Sequence, residues 1–139
     1  MSAAGEGAAP TARDLGRASM AAVEAGDRAT WLALFADDAV VEDPVGPSML
    51  DPDGTGHRGP QAIAAFYDNV IGINESIRFD IRQSFLCGDE VANVGTIRIA
   101  FAGGGAVEVD GVYCYRRTAD GKLGGIRAFW EPGQMRTVE

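Results

Sequence analysis

From Ser76 onward the chain reads as strand almost without a break, while what precedes it reads mainly as helix. "SIRFDIRQSFL" (76–86) alternates, putting Ile77, Phe79 and Ile81 on one face. "EVANVGTIRIAF" (90–101), "GAVEVDGVYCYRR" (105–117) and a last strand over 123–130 follow, divided by Gly103-Gly104-Gly105 and by the hairpin turn "ADGK" (119–122). Such a meander has an apolar face that must be covered. The material for this is a helix over 12–25, with Leu15, Ala18, Met20 and Ala22 inward and Gly26 ending it; a short helix over 28–36 with Trp31, Leu34 and Phe35 as its stripe; and a helix over 60–71 that opens on Pro60 and buries Ile63, Phe66 and Tyr67. Helices bunched before a meander predict an α+β fold with the helices on one face of the sheet.

A chain of 139 residues suits one core, here a single domain over 12–139 behind a small, polar and disordered tail over 1–11. The net charge of −8 argues against nucleic acid, whose phosphates require clustered Lys and Arg. No apolar run approaches the roughly 20 residues of a membrane span, and the N-terminus lacks the pattern of a signal peptide, so a cytoplasmic protein is expected. Cys87, Cys114 and the single histidine, His57, match no metal spacing. Both cysteines are expected to be reduced, buried thiols, and no metal is expected.

"AVVEDPVG" (39–46) is a strand ending in a turn, reached from the second helix through a turn at Asp37-Asp38. Val41 and Asp43 lie two apart and share a face, so an inward Val41 brings a carboxylate inward with it. Desolvation raises the pKa of such a group, and a base is most effective when its pKa nears working pH. The plainer reading has Asp43 capping the turn before Pro44. The segment 46–59 is a Pro-, Gly- and Asp-rich loop in which His57 is expected to be structural. Further on, Val107, Val109, Gly111, Tyr113 and Tyr115 share one strand face, and Glu108, Asp110, Val112 and Cys114 the other. Trp31, Phe35, Phe66, Phe79, Phe101 and Phe129 read as core or cavity wall, suited to a flat apolar ligand.

Three stretches, "FADDAVVEDPVG" (35–46), "GTGHRGPQAIAAFYDNV" (54–70) and "DGKLGGIRAFW" (120–130), resemble the ketosteroid isomerase branch of the NTF2-like (SnoaL-like) superfamily, and the resemblance extends over 12–132. It implies a curved mixed or antiparallel sheet wrapped by three N-terminal helices into a cone around an apolar cavity. It implies a homodimer, a small apolar ligand of steroid type, and cofactor-independent proton transfer between C4 and C6 of a 3-oxo-Δ5 steroid, with Asp43 as general base. The dienolate formed on the way needs hydrogen-bond donors already in place. The family supplies them from a first-helix tyrosine and a protonated aspartic acid on a later strand. Here the first helix has no tyrosine, and Ser19 or Met20 stands in its place.

The strand acid registers with Gly111. Asp110 takes its role only if a bulge at Gly111 turns it inward, and is otherwise a surface charge. Tyr67 matches a second family tyrosine and is expected to donate in place of the missing phenol. Tyr113, Tyr115 and the Trp130 indole are further candidates among which the sequence does not choose. Phe35 and Phe66 complete the expected ligand wall. The same fold also serves steroid or polyketide binders without catalysis, polyketide cyclases, and epoxide hydrolases that need an Asp–Arg–Asp set, for which Arg98, Arg127 and Asp110 are the available side chains.

Overall fold

The computed structural model describes residues 9–139, so most of the tail expected over 1–11 lies outside the described residues. Helix α1 (Ala12–Ala25) starts on a reciprocal cap: the Thr11 hydroxyl accepts the Asp14 N–H at 3.1 Å, and the Asp14 carboxylate accepts the Thr11 N–H at 2.9 Å. Gly26 closes it in the left-handed region that favours glycine. Asp27 caps α2 (Arg28–Ala33) by accepting the Thr30 N–H at 3.2 Å.

Helix α2 ends three residues short of the expected boundary. The Leu34 carbonyl accepts the Leu123 N–H at 2.8 Å, and this sheet contact takes over from the helical period. Strand β1 therefore begins at Phe35 and runs to Glu42, so Asp37 and Asp38 lie within the strand and not in a turn before it. β2 (His57–Arg58), β3 (Ser76–Cys87), β4 (Glu90–Ala100), β5 (Ala106–Arg117), β6 (Leu123–Phe129) and β7 (Arg136–Val138) complete one curved mixed sheet in the order β2-β1-β6-β5-β4-β3, with β7 on the free length of β5. The β1–β6 pair is parallel and the other pairs are antiparallel. The β2 and β7 pieces were not expected; both are too short to show a period and are held by the strands they join.

The sheet bends where the β3–β4 register shifts between Ile81 and Gln83. Gly95 faces that bulge, and a Cβ there would run into the Asp80 carbonyl oxygen. Helix α1 packs across β3, β4 and β5, and α3 (Gly59–Phe66) packs on β1. The third helix passes at Tyr67 into a π-helical turn, Tyr67–Ile71, closed by the Gly72 N–H on the Tyr67 carbonyl at 2.7 Å. Trp31, Val41, Ile63, Val91 and Leu123 form the fully buried heart of the core. Among the described residues no helix is long and apolar enough to cross a membrane. Both cysteines are free thiols, but Cys87 is exposed at the end of β3, contrary to expectation, and Cys114 is half-buried.

Candidate active site

Inside the curve of the sheet lies an apolar cavity of about 290 Å³. α1 and α2 close one side, the π-helical turn another, and the inward side chains of β3 to β6 form the floor. Among the described residues Asp43 carries the only charged side chain on its wall. It lies one residue beyond β1, but the Val45 N–H bonds the Ala128 carbonyl at 2.9 Å, so the chain stays against β6 and Asp43 keeps the inward side that Val41 sets. Burial pushes the Asp43 carboxyl above the usual carboxylate range; a hydrogen bond from Trp130 and the charge of His57 pull it partly back. The Trp130 Nε1–H donates to Asp43 Oδ1 at 2.6 Å, a short charge-assisted bond. Replacing Trp130 with Phe is expected to raise the Asp43 pKa further, because the removed donor favours the ionised form. Titration of the carboxyl carbon by NMR reads this directly, and an unmoved or lowered midpoint would show that the indole does not govern the acid.

The structure brings Ser19, Phe66, Tyr113, Tyr115 and Trp130 to the cavity wall with Asp43. It leaves four expected residues away from it. Met20, next to the cavity residue Ser19 on α1, is buried in the core and does not line the wall. Phe35 packs edge-on against Trp31 with ring centroids 4.7 Å apart, behind the wall and not on it. Tyr67 is buried against Trp31 at 5.4 Å and does not face the cavity. Burial, then the negative charge of Asp27, raises its pKa.

Asp110 is the fourth. The β4–β5 register runs unbroken through Thr96↔Asp110 and Gly95↔Gly111, so no bulge turns it inward. Its side chain is 57% exposed on the outer face, accepts the Thr96 hydroxyl at 2.6 Å and pairs with Arg136 at 3.2 Å. The Thr96 hydrogen bond, with Arg136, holds its carboxyl below the usual range, the opposite of a protonated acid. Arg98 and Arg127 also point outward, paired with Glu108 and Glu42, so no Asp–Arg–Asp set meets in the cavity.

Phe79 and Phe101 line the cavity, whereas Phe129 lies outside, 42% exposed, beneath the Arg127 guanidinium. His57 pairs with Val41 across β1–β2, lies against Phe66 at 4.7 Å, and keeps a buried Nε2 without a hydrogen-bond partner; it is not on the cavity wall. Gly111 does face inward, but a Cβ there would stand 2.5 Å from the Phe129 carbonyl oxygen and 3.1 Å from Trp130 Cβ. The Asp43–Trp130 pair, 87 residues apart, is the site feature that no local sequence signal reports.

A curved mixed sheet wrapped by helices around an apolar cavity with one inward carboxylate defines an α+β cone of the NTF2-like type. The chain belongs to the SnoaL-like domain family, whose match covers residues 17–131. It is similar to the Steroid Delta-isomerase of Nocardioides simplex, with 32% identity over 117 residues, or 82% of this chain and 85% of the relative. Among solved structures it is similar to the Δ5-3-ketosteroid isomerase from Mycobacterium sp., with 38% identity, a TM-score of 0.87 and coverage of 94% of this chain and 100% of that one. It is also similar to RV0760c from Mycobacterium tuberculosis in complex with estradiol-17beta-hemisuccinate, with 37% identity, a TM-score of 0.85 and coverage of 93% and 99%.

Proposed function

We propose that this protein is a cofactor-independent steroid Δ-isomerase. Asp43 is the general base in this reading. The carboxylate removes a proton from C4 of a 3-oxo-Δ5 steroid, and the C–H electrons flow into the ring to give a dienolate with its charge on the C3 oxygen. The protonated Asp43 then returns the proton to C6, leaving the conjugated Δ4 ketone with no net gain or loss of atoms. The observation that carries the reading is one carboxylate, the only one there among the described residues, raised in pKa by burial on the wall of a largely apolar cavity. Similarity to two steroid isomerases supports it.

The test is the appearance of the conjugated enone when purified protein is given 5-androstene-3,17-dione. Catalytic turnover is expected, and no turnover with any 3-oxo-Δ5 steroid would sink the proposal. Asp110→Asn is expected to leave turnover and steroid affinity unchanged, since that side chain lies outside the cavity. A tenfold loss in that variant would contradict its outward placement.

A second reading, a steroid carrier without catalysis, draws on Ser19 or Met20, and Gly111, standing where the family pattern has its two oxyanion donors. The estradiol derivative bound to RV0760c also supports a steroid-shaped ligand. Saturable steroid binding without turnover would select the carrier. We also infer a homodimer, because the outer face of the sheet exposes Phe85 at 54% and Phe129 at 42% to water. Light scattering of the eluting protein at micromolar concentration is expected to give twice the chain mass, and a monomer mass would remove the dimer.

A further inference from the structure

We propose that Tyr115 donates the hydrogen bond that holds the ligand's C3 oxygen, reaching from β5 into the space that small residues leave open on α1. This rests on the isomerase reading of the cavity. Among the described residues, six side chains on the cavity wall carry an N–H or O–H: Ser19, Trp31, Asn74, Tyr113, Tyr115 and Trp130. Four are engaged within the protein. The Trp31 indole donates to Ser19 Oγ at 3.0 Å, and the Tyr113 hydroxyl to the Val109 carbonyl at 3.1 Å. The Asn74 amide donates to the Val70 and Ile71 carbonyls at 2.8 and 3.2 Å, and the Trp130 indole to Asp43 at 2.6 Å. The Ser19 oxygen receives the Trp31 N–H. Among the described residues the Tyr115 hydroxyl has no acceptor of its own, which leaves its proton for a ligand.

The phenol is also seated. Gly16 lies one turn before Ser19 on the same face of α1. A Cβ at Gly16 would stand 2.8 Å from Tyr115 Cδ1, so the ring lies directly against the helix backbone. Glycine is unfavourable in a helix interior, and here its lack of a side chain makes the room. Gly16 thus makes room for the ring, on the helix where the family pattern has its own tyrosine. Across the sheet Tyr115 pairs with Ile126, and Ile126 with Val41, so the phenol faces the same space as Asp43 two residues further on. Burial, then the charge of Asp43, keeps the phenol protonated. As the C4 proton passes to Asp43, charge builds on the C3 oxygen, and a donor already in position stabilises it without giving up its proton.

Estradiol provides a test that does not depend on turnover, because its phenolic oxygen occupies the C3 position of a flat A ring and 3-deoxyestradiol lacks only that group. Affinities for both are measured by calorimetry for wild type, Tyr115→Phe, Tyr113→Phe and Gly16→Ala. Wild type is expected to prefer estradiol by about tenfold, the worth of one well-placed hydrogen bond. Tyr115→Phe is expected to erase the preference and Tyr113→Phe to keep it. A preference that survives in Tyr115→Phe, or is absent from wild type, overturns the proposal. Should Tyr115→Phe not fold, Gly16→Ala, which crowds the ring, reads the same ratio, and an unchanged ratio there overturns the proposal too. Where 5-androstene-3,17-dione is turned over, Tyr115→Phe is also expected to lower kcat by about 10²–10³ with KM nearly constant. A preference erased in Tyr115→Phe, together with no turnover in wild type, would retain Tyr115 as the oxygen-binding group and discard the isomerase.

Discussion

Asp43→Asn is expected to lower isomerisation of 5-androstene-3,17-dione by about 10²–10⁴-fold, the usual contribution of a positioned general base. The same substitution is expected to make the protein more stable at neutral pH. Burial raises the pKa of Asp43 in the folded chain, so the folded state holds that proton more tightly than the unfolded one. Below the ordinary aspartate pKa of about 3.9 the side chain is protonated in both states and imposes no penalty. As pH rises through the folded pKa, the native state must carry a desolvated charge, and stability falls. Asn keeps an oxygen to accept the Trp130 N–H and never ionises. Its advantage in urea unfolding should therefore be present at pH 7 and vanish near pH 3. An equal advantage at both pH values, or none, would show that Asp43 is not an acid strained by burial. The side chain best placed to remove a proton from carbon is thus one that the fold would be more stable without.

Trp31→Ala is expected to cost about 3–5 kcal/mol, as loss of a fully buried aromatic does. Trp31 is 1% exposed, meets Phe35 edge-on and Tyr67 at a tilt, and walls the cavity. Truncation would merge the side chain's volume with the existing cavity and leave the buried Ser19 hydroxyl without its indole donor. Against a typical total of about 5–15 kcal/mol, a loss of that size brings unfolding within reach of mild heating. The urea midpoint should fall with its slope unchanged. Saturating steroid should recover part of the loss by mass action. A loss under about 1 kcal/mol would mean that the helices close over the gap.

Much of this architecture is legible in the sequence because periodicity acts locally. Alternation over Ser76–Leu86 and the helical spacing of Ile63, Phe66 and Tyr67 each follow from a few neighbours, and both appear in the fold. The parity of Val41 and Asp43 likewise carried the carboxylate to the inner face, and the parity of Asp110 with Glu108 kept it outside. What stayed hidden depends on distant partners. The end of α2 is set by Leu123, far along the chain, and the donor to Asp43 is set by Trp130. Tyr67 has the right spacing for the buried side of its helix, yet spacing alone does not distinguish a residue behind the wall from one on it. The β7 strand exists only because β5 extends past β6 and leaves an edge to cover.

Gly111 makes the two halves of the site interdependent under substitution. The position where the family pattern has an acid here admits no side chain unless the Phe129 carbonyl and the Trp130 Cβ give way. Trp130 is also the residue that donates to Asp43. A carboxylic acid introduced at 111 by one codon change would displace the base's own partner, so the double mutant's effects would not add. The path from this site to one with a strand acid crosses a valley in fitness for any function that uses Asp43, and a designer would have to reshape residues 129–130 before touching 111.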